Sequence, residues 1–196
     1  MPMTIDSFST LIHALTSIPL DELQGVQELM RTTTVRKGDY FIRVGEMPYR
    51  VGFIRKGLFQ YHYTHENGTE FTKGFFDKGN VISAYSALLE NRASYFSIQA
   101  LEDAELETVE YTVFRELAAS DPRWKQFEYT LLKRGYLVKE EREREFLLFD
   151  AEARYAAFQE RYPGLEDRVK QRMIASYLGI TPESLSRIRR KNKPLT

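Results

Sequence analysis

The stretch "QRMIASYLGITPESLSRIRRK", residues 171–191, decides how the chain is read. Counted from Gln171 as position one, Ala175 falls at five, Gly179 at nine, Leu185 at fifteen and Ile188 at eighteen. A small residue at five lets two helices cross closely, and a glycine at nine permits the turn between them. Ile174, Leu178, Ile180, Leu185 and Ile188 fill the space between the pair. Thr181 is a good N-cap and Pro182 a good first-turn residue, so the second helix starts there. The spacing predicts a helix-turn-helix.

Such a second helix presents its N-terminal part to base edges in the major groove. Arg187 can form a bidentate pair with guanine, and Glu183 can accept from cytosine N4. Thr181, Ser184, Arg189, Arg190 and Lys191 suit phosphates, which position a protein on DNA without choosing a sequence. Charge points the same way. The chain holds 28 basic and 28 acidic residues, yet from Arg168 to Thr196 eight basic residues face one acid, Glu183. That end is therefore +7 and the remainder −7, which predicts a polyanion partner, double-stranded DNA. The alternative is a small-molecule-binding barrel whose basic tail binds another protein.

Working outward, 196 residues suffice for one full core and a small second domain. The absence of cysteine removes disulfides, thiol nucleophiles and cysteine-ligated metal centres. No run approaches 18 apolar residues, so no membrane partner is expected. "MPMTIDSFSTLIHALTSIPL" lacks a basic n-region and a long apolar block, so no secretion signal is expected and the cytoplasm is the expected compartment. Residues 4–30 read as helical, with Phe8, Leu11, Ile12 and Leu15 on one face. From Thr33 to about Tyr111, short Val-, Ile-, Phe-, Tyr- and Thr-rich runs alternate with glycine-bearing turns. Asn67-Gly68 predicts a hairpin with a type I′ turn, and the turn spacing predicts an antiparallel sandwich or barrel.

Residues 121–149 read as one long helix. Trp124, Phe127, Leu131, Gly135, Val138 and Arg142 recur at spacings of 3, 4, 4, 3 and 4, which is one helix face. One small domain cannot easily cover such a helix, so this face is read as a dimer face between two copies, with Gly135 allowing close approach. Three further helices follow. The expected organisation is a sensor domain over 1–120, a dimerisation helix over 121–149 and a DNA-binding domain over 150–196.

"YLGITPESLSRIRRK", "VRKGDYFIRVGE" and "FIRKGLFQYHY", in this order of barrel, long helix and helix-turn-helix, resemble the Crp/Fnr family of bacterial transcription regulators. The resemblance implies an α+β fold: an N-terminal β jelly-roll barrel with flanking helices, a long dimerisation helix and a C-terminal all-helical helix-turn-helix domain. It implies a non-enzymatic homodimer on a palindromic operator, with Glu183 and Arg187 reading bases; RNA polymerase is a candidate partner. Pro182 stands where the catabolite activator has an arginine. In the family's nucleotide-binding members a Gly-Glu pair holds the ribose and an Arg-Ser pair the cyclic phosphate. This chain has Ser83-Ala84 and Ser94-Tyr95 there, and Arg92 lies two residues early. Without the cation the phosphate loses its charge-assisted bonds, so cyclic AMP is not the expected effector. Ser83, Ala84, Tyr85, Arg92, Ser94 and Tyr95 are the candidate pocket for an unidentified small molecule; the alternative is that the aromatic residues are core.

No cofactor or metal is expected. The family's oxygen-sensing branch uses cysteines, and His13, His62 and His65 read as solvated or packed rather than as haem ligands. A cupin-type enzyme would need His62, His65, Glu66 and Glu70 inside a barrel, whereas they border a turn. "YPGLED" leaves no room for a β-hairpin wing ahead of residue 168.

Overall fold

The computed structural model describes residues 5–191. They form two compact units: the chain up to Tyr63 with Gly74–Arg134, and Thr64–Lys73 with the chain from Gly135 on.

In the first unit, α1 (Phe8–Thr16) and α2 (Gln24–Leu29) precede the strands. These are β1 (Arg31–Val35), β2 (Tyr40–Ile42), β3 (Arg50–Lys56), β4 (Leu58–Thr64), β5 (Glu70–Asp77), β6 (Val81–Ile82), β7 (Ser97–Ala100) and β8 (Ala104–Glu110), with α3 (Tyr85–Glu90) between β6 and β7. They make two four-stranded sheets, ordered β1-β8-β3-β6 and β2-β7-β4-β5. Connections cross repeatedly between the sheets, which is the jelly-roll arrangement.

Period-two alternation explains why β3 is buried on both sides. Ile54 points between the sheets with Phe41, Phe59, Ile82, Ile98 and Leu106. Val51 and Phe53 point the other way, onto Phe8, Leu11 and Ile12 of α1 and onto the helices that follow β8. Those are α4 (Tyr111–Ser120) and α5 (Pro122–Leu148). Pro122 suits the first helical position because its missing N–H would have no partner there. At 27 residues α5 is about 40 Å long.

The β4–β5 hairpin is present, but its turn is not type I′. Gly68 has φ +82°, while Asn67 is not left-handed. The Gly68 N–H bonds to the His65 carbonyl at 2.8 Å and the His65 N–H to the Thr69 carbonyl at 2.9 Å, a longer loop with glycine alone in the left-handed position. Asn67 keeps a negative φ, and its side-chain oxygen accepts the Thr69 N–H at 3.0 Å.

In the second unit, α6 (Ala151–Arg161), α7 (Gln171–Leu178) and α8 (Pro182–Lys191) are all helical, joined between α6 and α7 by one 3-10 turn at Leu165–Asp167. No strand interrupts residues 162–170. Among the described residues, no helix is long and apolar enough to cross a membrane.

Candidate nucleic-acid interface

The pair α7 and α8 is built as its spacing predicts. Met173, Ile174, Ala175, Tyr177 and Leu178 of α7 are buried, as are Leu185 and Ile188 of α8. Gly179 ends α7 in the left-handed conformation, φ +67°. Its N–H and that of Ile180 return to the carbonyls of Ser176 and Ala175, which satisfies carbonyls the helix end would leave open. A Cβ at Gly179 would also stand 2.7 Å from the Phe146 ring of α5, so this position excludes side chains twice over. Thr181 caps α8: its hydroxyl accepts the Ser184 N–H at 3.2 Å.

α7 and α8 are tied to each other and to their surroundings by polar staples. Gln171 donates to the Ser186 hydroxyl at 2.6 Å and to the Pro182 carbonyl at 3.0 Å. Arg161 of α6 bonds the buried Glu145 of α5 at 2.5 Å and the Tyr177 hydroxyl at 2.9 Å. The Glu145 bond is the main cause that holds the Arg161 guanidinium above its ordinary range. Arg142 donates to the Tyr177 carbonyl at 2.8 Å and lies 3.6 Å over its ring. The hairpin tip joins the same unit: the Thr72 N–H donates to the Ser176 hydroxyl at 2.9 Å, and that hydroxyl donates to the Glu70 carbonyl at 3.2 Å.

Seven residues were expected to meet DNA, and the structure separates them. Glu183, Arg187 and Arg190 are exposed and share one side of α8, at i, i+4 and i+7. The Glu183 carboxyl lies below its usual range, chiefly through its own backbone N–H at the helix start, then through Thr181 and the Arg187 charge. Arg187 and Arg190 make no hydrogen bond or ion pair among the described residues. Thr181 and Ser184 are occupied with the cap.

Arg189 corrects the expectation. It projects back toward α6, with its Nε 3.0 Å and its Nη2 2.5 Å from Glu166. Glu166 also accepts from Tyr155 at 2.5 Å and from Gln159 at 2.9 Å. Burial pushes the Glu166 carboxyl up, but these three donors together hold it below its ordinary range. Lys191 bonds both carboxylate oxygens of Glu152, at 2.7 and 2.9 Å, in an exposed pair. Two cations the sequence reading left unassigned, Lys170 and Arg172, flank the start of α7 with no side-chain partner among the described residues. Both belong to the basic run that starts at Arg168, which is the signal the sequence carries for them.

The face read as a dimer seam is mostly occupied. Trp124 and Phe127 lie in the core beside Phe114, and Leu131 packs against the same cluster. Arg142 is the staple described above. Gly135 and Val138 are exposed. A second apolar stripe lies elsewhere on α5: Tyr129, Leu132 and Tyr136, 58, 43 and 63% exposed, at spacings of 3 and 4.

The candidate effector pocket does not assemble as one site. Ser94 is buried and donates to the Phe96 carbonyl at 2.7 Å. Arg92 pairs with Glu90 and lies 3.7 Å over the exposed Tyr95 ring, so both point outward. Tyr85 donates to Glu128 of α5. Ser83 and Ala84 border the inter-sheet core. An open, polar groove of about 310 Å³ elsewhere on this unit places Arg43 and Arg50 beside Asp39 and Glu46, so it offers no net positive charge. Among the described residues no three His, Asp or Glu side chains gather to hold a metal ion.

Comparison with known proteins agrees with this architecture. Residues 32–121 match the cyclic nucleotide-binding domain family. The chain is 26% identical over 180 residues to electron transport regulator A of Shewanella oneidensis, covering 86% of this chain and 70% of that one. It is 27% identical over 182 residues to the anaerobic regulatory protein of Haemophilus influenzae, covering 86% and 68%. The solved structure of FixK2 from Bradyrhizobium japonicum superposes with a TM-score of 0.73 at 18% identity, covering 83% of each chain. Residues 32–121 thus carry the cyclic nucleotide-binding fold, and the likeness to these regulators in fold extends beyond them to the long helix and the capped helix pair that follow.

Proposed function

We propose that the protein is a homodimeric, cytoplasmic DNA-binding regulator that grips a palindromic operator with one α8 per half-site. The observation that carries this reading is the exposed row Glu183, Arg187 and Arg190 on a helix whose other faces are capped, buried or stapled. Glu183 and Arg187 read bases, and Lys170, Arg172 and Arg190 take phosphates. Two copies join along the Tyr129, Leu132 and Tyr136 stripe, and half-sites lie about one helical turn, ~34 Å, apart. The cyclic nucleotide is not the effector, because Arg92 is turned to Glu90 and Tyr95 and offers no cation to a phosphate.

Selection of bound sites from random DNA, followed by a salt titration, tests this. Arg187→Ala is expected to cost ~1–3 kcal/mol on the selected site and to relax the preference at one base pair. Equal weakening on every sequence assigns Arg187 to a phosphate, and no DNA binding at low salt overturns the reading.

A further inference from the structure

The space between the two sheets holds an aromatic side chain with a polar tip. Tyr61 stands on β4, paired with Ile98 of β7. Its ring stacks on Phe96 with centroids 5.2 Å apart and planes 22° from parallel, and meets Phe76 of β5 at 4.3 Å. Its hydroxyl reaches past the end of β6, where it accepts the Ser83 N–H at 2.9 Å and reaches the Ser83 carbonyl at 3.4 Å. Tyr61 is 6% exposed, and burial pushes its hydroxyl well above the ordinary range while the Ser83 contact pulls less strongly the other way. Ile82, Ala84, Ala87 and Ile98 close an apolar core around it. A cavity that meets this core only at its edge, lined by Phe41, Ile42, Glu46, Arg50 and Ala84 and not by Tyr61, measures about 40 Å³. That is room for a few waters at most and far below the roughly 300 Å³ at which small-molecule sites begin.

We infer that Tyr61 is a built-in ligand, a tethered phenol that fills the inter-sheet site and leaves the regulator indifferent to cyclic nucleotides. The inference deepens the reading of the first unit as a sensor fold and rests on it. The chemistry matches a phenol: aromatic rings on either side of its own ring, and an N–H and a carbonyl for its hydroxyl. A cyclic nucleotide would have to expel this ring and bring an anion among buried residues that carry no charge, a large desolvation penalty, while the nearby Arg50 donates to the Phe41 carbonyl at 3.3 Å, lies over the Phe41 ring and has Glu46 beside it on the cavity wall.

Thermal melts of the full chain test this without DNA, so a failed operator experiment would leave their outcome intact. Wild type, Tyr61→Ala and Tyr61→Phe are melted with cyclic AMP, with cyclic GMP and with millimolar phenol. Removing a buried ring is expected to lower the melting temperature by roughly 10 °C. Phenol then restores several degrees, saturably, to Tyr61→Ala alone, and neither nucleotide moves wild type. A saturable nucleotide-dependent rise in wild type overturns the inference. So does a Tyr61→Ala protein that melts with wild type, or one that phenol does not stabilise more than it stabilises Tyr61→Phe. Should Tyr61→Ala not stay folded alone, refolding with and without phenol is the readout, and no gain of folded protein overturns it.

Discussion

Gly179→Ala probes the turn on which the interface depends. The residue sits at φ +67°, and a new Cβ would stand 2.7 Å from Cε1 of Phe146. Holding alanine in the left-handed region costs roughly 1–2 kcal/mol. Relieving the contact moves the Phe146 ring off its rotamer, at roughly 0.5–1.5 kcal/mol. That ring has limited freedom, since the guanidinium groups of Arg142 and Arg154 lie 5.1 and 5.2 Å from its centre. The sum is roughly 1.5–3.5 kcal/mol, or a loss of roughly 3–14 °C in melting temperature for a protein of this size. A double-mutant cycle with Phe146→Ala separates the two parts. In the Phe146→Ala background the Gly179→Ala cost should fall to the backbone part alone. The assay is thermal melting followed by hydrogen exchange over α7 and α8. The reasoning is refuted if Gly179→Ala melts with wild type, or if its cost is unchanged once the ring is gone.

Arg189 and Arg190 are neighbours with opposite expected phenotypes. Arg190→Ala should reduce the slope of log affinity against log salt by about 1 with stability unchanged, while Arg189→Ala should lower the melting temperature and leave the slope alone. Glu166 gives a pH signature in melting experiments. Its carboxyl is depressed in the folded state, so the stability it contributes is complete above the ordinary glutamate range near ~4.3 and is lost as pH falls through the lower folded value. Glu166→Gln should flatten that acid limb, and an unchanged limb would remove Glu166 from the account. Leu132→Asp places a charge on the exposed stripe of α5, and sedimentation should then show monomers; an unshifted dimer would move the seam elsewhere.

Much of this was legible in the sequence. Ala175, Gly179 and Thr181 announce the helix pair because each answers a local steric or hydrogen-bonding need. The strands announce themselves through glycine turns and alternation. What could not be read depends on distant partners. α5 carries two apolar stripes, and periodicity alone does not say which one meets Phe8, Phe53 and Phe114. Arg189 reads as another cation in a basic run until the turn at Leu165–Asp167 brings Glu166 beside it. Tyr61 is one inward residue of an alternating strand, and only the fold sets it between Phe76 and Phe96. Asn67-Gly68 marked a hairpin correctly, but the loop length, set by the pairing of His65 with Thr69, selected a different turn.

The single 3-10 turn between α6 and α7 has a consequence for dosage. With no strand projecting from residues 162–170, the proposed contact of each copy with a duplex is limited to one helix and the start of another, a narrow footprint with few phosphates under it. One copy alone would fall off quickly, and lasting residence requires both halves of a pair at once. Promoter occupancy should therefore climb more steeply than in proportion to the number of molecules in the cell. On the proposed reading, with Tyr61 filling the barrel, abundance itself becomes the signal.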